Sequence, residues 1–414
     1  MSARGSRPVA VLYPDNLGAL GVCRGLGARG IPVMVLSTDR ASPGQYSRYA
    51  RRVACPAGGA DRVLACLDAL GRAQPEPPVL FLTTDAAIIA FEPHRAALET
   101  RFRLPLPPGP VLRRLLLKDE LYRELDGVVP VPRTRAPAGE SELAEAGRAV
   151  GYPALVKPRL RCLSEGPGHR SFERRFGQKA VRVRDLGELT RAYRAARGAG
   201  FSALVQEEIE GPVSSLYSVG LCATRRGEVP AAFTSQKLGQ VPAEFGDGLI
   251  VRAAHAPVLV VLGQRIVRHF GHRGLADIEF KWDARERVYK LLDVNPRPWL
   301  WINLATACGV NLPYAAYLEA LGRPVDPLEF AQGDFQTRWL SVRGIATLLV
   351  RSLRHGIRPR DLGALLAGLR GPHVGPLLSR EDLLVRMLVS PAYWRDVLRE
   401  AARGAGHLRP VRQG

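Results

Sequence analysis

Three short apolar runs set the frame for the first hundred residues: PVAVLY at 8–13, IPVMVLS at 31–37 and PVLFLTT at 78–84. Each is too short for a buried helix, and the stretches between them have helical spacing. LGALGVCRGLGARG lies between the first two and stops on glycine, and a second helical stretch covers about Asp61 to Arg72. Strand, helix and strand in this order imply parallel pairing with helices on the sheet faces. The opening region is therefore predicted to be a small parallel α/β domain, closed by the Pro-rich joint LPLPPGP at 104–110. The glycines of DNLGALGVCRGLG do not fall at the Gly-x-Gly-x-x-Gly spacing, so no dinucleotide site is expected.

Beyond the joint the order becomes mixed. VLRRLLLKDELYRELDG reads as one helix, and YPALVKP, KAVRVRD and SALVQEEIEG read as strands separated by helices. LYSVGLCATRRG with VPAAFTSQKLG predicts a hairpin about Arg226-Gly227, and GLADIEFKWD with RVYKLLDVNP predicts another joined by Ala284 to Glu286. From about Asp326 the pattern turns helical, through WLSVRGIATLLVRSLRHG, RDLGALLAGLRG and the segment from Glu381. This gives three regions, 1–105, 106–325 and a basic helical region 326–414.

The formal net charge of +20 suggests an anionic partner. Only six of the 59 basic residues are lysine, however, at 118, 157, 179, 237, 281 and 290, and the rest are arginine. That skew is compositional, so nucleic acid is not expected, and no aromatic-interleaved basic stretch supports it. It also makes each lysine informative, because a compact ammonium does what a planar guanidinium does not. The six scattered cysteines contain no Cys-x-x-Cys pair and are expected as small core residues. With no run of about 18 apolar residues and only a five-residue apolar stretch before Pro14-Asp15, the expectation is a cytoplasmic protein.

KLLDVNPRPWLWIN, at 290–303, ends a strand on Asp293 and Asn295, two residues apart and hence on one face. Pairing about the Ala284 to Glu286 turn places Glu279 across from Asp293, give or take a residue. Two carboxylates and an amide oxygen, completed by phosphate oxygens, suit a hard divalent cation. Arg297 just behind is placed to bind a phosphoryl or carboxylate oxygen through its fork. The competing reading makes Asp293 a turn cap and Glu279 a solvated strand-end acid.

Asp-x-Asn-Pro-Arg-Pro after a strand, with Glu279 of ADIEF fourteen residues earlier, resembles the magnesium-binding end of the ATP-grasp fold. The likeness spans about residues 8 to 322 and is strongest to the carboxylate-amine ligase group that resembles D-aspartate ligase and the carbamoyl phosphate synthase large chain. It implies a Rossmann-like N-terminal domain, an ATP-grasp core of two α+β lobes, and ATP with Mg2+ or Mn2+ as cofactors. It further implies that Glu279, Asp293 and Asn295 hold the metal, and that Lys157 and Lys118 reach the ATP phosphates. Glu207, Glu208, Ile209 and Glu210 would form the adenine hinge, with Lys237 and Arg297 at the reacting groups. Lys179 and Arg252 are lesser candidates, while Lys281 and Lys290 read as solvated. Two departures stand out: RCLSEGPGHRSFERRFG, where the family has a glycine-rich lid, is crowded with Arg, Glu and Phe, and GPVSSLYSVG offers no acid for ribose.

The implied activity joins a small-molecule carboxylate, such as an amino acid or peptide, to an amine through an acyl phosphate. Homodimers are the commonest assembly for such chains. The rival reading is a non-catalytic relative whose basic C-terminal helices lie on an anionic membrane surface or dock on a partner.

Overall fold

The computed structural model describes residues 7–160 and 172–346 apart from 41, 57 and 243, together with 348, 370–376, 379, 382, 391, 394 and 395. Among them, no helix is long and apolar enough to cross a membrane.

The opening region is the parallel α/β unit expected. Strands β1 (Ala10–Tyr13), β2 (Val33–Ser37), β3 (Ala50–Ala54) and β4 (Val79–Leu82) pair in the order β3-β2-β1-β4, all parallel. β1, β2 and β4 are buried throughout, as a sheet covered on both faces requires. Helix α1 (Leu17–Gly27) starts where the Asn16 side chain accepts from the Ala19 amide at 2.9 Å. α2 (Ala60–Arg72) follows β3, and α3 (Asp85–Phe91) starts on Thr84, whose hydroxyl accepts from the Ala87 amide. The strand order reverses between β1 and β4, so the loops beyond them flank a crevice. There the Asn16 amide donates to the Thr83 hydroxyl at 2.8 Å.

Two antiparallel lobes follow. The first pairs β5 (Thr134–Arg135), β6 (Ala154–Pro158), β7 (Val181–Val183) and β8 (Ala203–Glu207) in the order β5-β8-β6-β7. Its core gathers Val156, Val205, Leu189, Phe172 and Phe201. The second contains β9 (Leu216–Ala223), β10 (Ala231–Val241), β11 (Asp247–Ala253), β12 (Gly274–Asp283), β13 (Val288–Asn295), β14 (Arg338–Leu340) and β15 (His373–Val374) in the order β13-β12-β9-β10-β11-β14-β15. Both expected hairpins are present, β9 with β10 and β12 with β13. Gly220 on β9 lets the Trp299 ring lie against the strand, since a Cβ there would sit 2.2 Å from that ring. The loop following β13 is thereby pinned to the sheet.

Two expectations need correction. VLRRLLLKDELYRELDG is not one helix but two, Gly109–Leu116 and Lys118–Leu125, because Leu117 is extended and the Lys118 amide donates to the Arg159 carbonyl at 3.0 Å. The break puts Lys118 at a helix start. The segment from Asp326 is not helical throughout either: Arg338–Leu340 forms β14 on the edge of β11, with Trp339 fully buried. A run of three residues is too short for alternation to show in the sequence. Most of RDLGALLAGLRG and of the segment from Glu381 lies outside the described residues. Within that segment, the buried Asp382 carboxylate accepts from Arg24 Nε at 3.0 Å, Ser47 Oγ at 2.6 Å and the Arg48 amide at 2.8 Å, which fastens this part of the chain to the opening domain.

Candidate active site

The two lobes enclose a cavity of about 500 Å3. β6 and β8 line one side of it, and β10, β12 and β13 the other. Its polar lining includes all the expected lysines from 118 to 237 and the Glu279 and Asp293 carboxylates.

Glu279 and Asp293 are direct cross-strand partners, and Asp277 pairs with Asn295 in the same register. Both carboxylates therefore face one space, as the hairpin geometry predicts. Lys118 Nζ donates to Asp293 Oδ1 at 2.6 Å, and Lys237 Nζ lies 3.7 Å from Glu279 Oε2. Lys237 is buried, with its ammonium over the Trp301 ring at 5.7 Å from the centroid. Lys157 Nζ donates to Gln206 Oε1 at 2.6 Å. Burial, with the like charge of Lys118 second, pushes the Lys157 ammonium down to about 8.

Asn295 is buried beyond the cavity lining. Its Oδ1 accepts from Arg297 at 3.2 Å, and its amide reaches the Asp277 carbonyl at 3.5 Å. Arg297 also stands outside the lining and spends its fork on Asp85, the first residue of α3, through bonds of 2.6 and 2.9 Å. Among the described residues no three His, Cys, Asp or Glu side chains gather as a cation site.

The expected hinge is divided. Glu207, Glu208 and Ile209 line the cavity, and Glu210 does not. Glu208 takes a two-pronged bond from Arg182 at 2.5 and 2.6 Å, and Glu210 pairs with Arg285 at the surface. Glu207 is turned toward Lys290 (2.7 Å) and Arg133 (2.6 Å). Burial would raise its carboxyl, but those two cations outweigh it and hold it below the usual range. Lys179 lines the cavity and pairs with Asp247 at 2.7 Å, and Arg252 donates to Gln236 on β10 at 2.6 Å. Of the expected lid, 161–171 lies outside the described residues, while Phe172 and Glu173 line the cavity.

Two lysines read as solvated are not. Lys290 is 3% exposed and also meets Asp283 at 3.0 Å and Glu286 at 2.7 Å; these anions outweigh burial and raise its ammonium. Lys281 lines the cavity, and burial depresses its ammonium. Strand alternation would have found Lys281, since it shares a face with Glu279. Asp277 was missed altogether: it is 1% exposed, with Oδ1 lacking a partner, and burial followed by the Glu279 charge pushes its carboxyl up to about 8.

An open cleft between two α+β lobes, with lysines on both walls and a cross-strand acid pair on one, matches known proteins. Residues 202–342 match the family model described as ATP-grasp in the biosynthetic pathway with Ter operon. The chain has the ATP-grasp fold. Its described architecture superposes on N5-carboxyaminoimidazole ribonucleotide synthetase in an ADP complex, with a TM-score of 0.62 at 14% identity and 80% of each chain covered. A second ATP-grasp neighbour is biotin carboxylase from Campylobacter jejuni in a β,γ-ATP complex, with a TM-score of 0.60 at 14% identity, covering 79% of this chain and 73% of that one. In sequence, the chain is 28% identical over 180 residues to D-alanine--D-alanine ligase of Stutzerimonas stutzeri (strain A1501), covering 41% of this chain. It spans about half, 51%, of that curated relative's length.

Proposed function

We propose that the protein is an ATP- and magnesium-dependent ligase that joins a carboxylate to an amine through an acyl phosphate. The observation that carries this reading is the Glu279–Asp293 cross-strand pair sharing one nucleotide-sized cavity with Lys118 and Lys157. ATP occupies that cavity as substrate, its adenine toward Ile209 and Leu155 and its phosphates toward the lysines. The donor set fits magnesium: Glu279 and Asp293 offer hard oxygens on one face, leaving phosphate oxygens and water to complete the shell. Asn295, whose oxygen accepts from Arg297, would be the third donor. Bound there, the ion neutralises phosphate charge and aligns the terminal phosphoryl group.

The residues of this chain do the positioning. Lys157 and Lys118 hold the phosphates, and Lys237, buried beside Glu279, stabilises charge on the transferring group. The substrate carboxylate attacks the terminal phosphorus, ADP leaves, and an amine then displaces phosphate to form the amide. Phosphoryl transfer asks for placement and charge neutralisation more than for a covalent nucleophile, so the absence of a Ser-His-Asp pattern from the motifs is no obstacle. Sequence likeness to a ligase supports the reading.

The test is turnover of ATP with hydroxylamine against pooled amino acids and peptides. Hydroxamate formed only with ATP and a particular acid is expected, and it names that acid. ATP hydrolysis indifferent to every acid would defeat the proposal.

A further inference from the structure

On the opening domain, away from the nucleotide cavity, two thiols meet. Cys55 extends β3, its amide donating to the Ser37 carbonyl at 3.0 Å, and Cys66 lies in the middle of α2. The two sulfurs are 2.7 Å apart. Cys55 is 5% exposed and Cys66 is partly open to solvent. Burial pushes the Cys55 thiol up to about 12, with its hydrogen bond to Cys66 second, and Cys66, the more exposed of the two, is the thiol that a solute reaches first. Arg62 stands one helical turn before Cys66, at a spacing that shares a face.

We infer that Cys55 and Cys66 form a reversible dithiol–disulfide site whose co-reactant is a low-molecular-weight disulfide. The argument is geometric. A disulfide needs Cα atoms within about 7 Å and converging Cβ vectors, and sulfurs already in contact across adjoining elements meet that demand without movement of β3 or α2. The remaining described cysteines, Cys23, Cys222 and Cys308, are buried in the core.

The steps balance. The Cys66 thiolate attacks one sulfur of the small disulfide RSSR, forming a mixed disulfide and expelling RS−, which takes up the proton that Cys66 gave to solvent. Cys55, giving up its proton, attacks the Cys66 sulfur and expels the second RS−, which takes up that proton. The protein loses two electrons and two protons, and RSSR becomes two RSH. An external dithiol runs the sequence backwards.

The chain also supplies the readout. Arg52, Arg62 and Arg72 are tryptic sites, so Cys55 falls in peptide 53–62 and Cys66 in peptide 63–72. Full-length native protein is incubated with oxidised glutathione, alkylated with iodoacetamide, digested without reduction and analysed by mass spectrometry. The expected species is peptides 53–62 and 63–72 joined, two hydrogens lighter than their sum, and absent after dithiothreitol treatment. In Cys55→Ser, glutathione should remain on Cys66 as a stable mixed disulfide. In the unaltered protein, three outcomes would overturn the inference: both peptides alkylated as fully as before exposure, glutathione persisting on Cys66, or Cys66 joined to the Cys162 peptide.

Discussion

Lys118 Nζ donates to Asp293 Oδ1 at 2.6 Å, so a phosphate-holding ammonium candidate sits on a metal-holding carboxylate candidate. On the proposed function, Asp293 would hold magnesium and Lys118 a phosphate oxygen, so loading the cleft would exchange this pair for two charge-assisted contacts. Asp293→Asn is expected to lower turnover by at least about 100-fold, with affinity for ADP in the presence of EDTA staying within about threefold of the parent. Steady-state assay and equilibrium titration of the purified variant check both. Full turnover would remove the metal assignment.

Lys157 ties nucleotide binding to pH. Its folded value of about 8 lies below the ordinary 10.5. Between those values the unfolded chain holds the proton and the folded chain has released it, so this group's contribution to stability improves as pH rises through the window. Phosphate binding needs the charged form and therefore weakens over the same range, by up to about tenfold per pH unit above 8. Titration of ADP from pH 7 to 10 should show the fall, and Lys157→Met should flatten it. A parent protein with pH-independent affinity would contradict the placement of this ammonium.

Lys290 joins Glu207 at the end of β8 to Asp283 and Glu286 of the β12–β13 hairpin. Replacing it with methionine leaves Glu207 and Asp283 without their shared cation. Removing one partner of a buried ion pair costs about 3–5 kcal/mol, offset here by the exposure of Glu286. A loss of about 3 kcal/mol in urea unfolding is the expectation, together with weaker nucleotide binding as the Glu207–Ile209 segment loosens. An unchanged unfolding midpoint would show that the network is dispensable.

Gly220→Ala tests how the loop after β13 is held. The new methyl group would meet the Trp299 ring at 2.2 Å. Overpacking of this kind costs about 1–3 kcal/mol, and the displaced ring carries Asn295 and Arg297 with it. Turnover should fall further than stability alone explains at 20 °C, where the variant remains folded by circular dichroism. Parent-like kinetics would mean that the ring has room to retreat.

Local pattern carried much of the architecture. The parallel opening domain followed from apolar runs and glycine stops, and the opposition of Glu279 and Asp293 followed from a short hairpin turn with strand alternation. What escaped depends on distant partners. Lys290 looks solvated until Glu207, remote in sequence, arrives beside it. Leu117 breaks a continuous helical pattern because the backbone at Arg159 claims the next amide. Asp277 reads as an ordinary polar strand residue, and only the assembled fold buries it, to 1% exposure. Trp339 escaped because a three-residue strand leaves too little alternation to detect.

Arg297 grips Asp85 with one hand and Asn295 with the other. That makes it a mechanical tether between the first turn of α3 and the acidic hairpin of the cleft. Any rocking of the opening domain on the lobes has to stretch or release the Arg297–Asp85 bonds. The strand end that carries Asp293 and Asn295 is thereby coupled to the position of the opening domain.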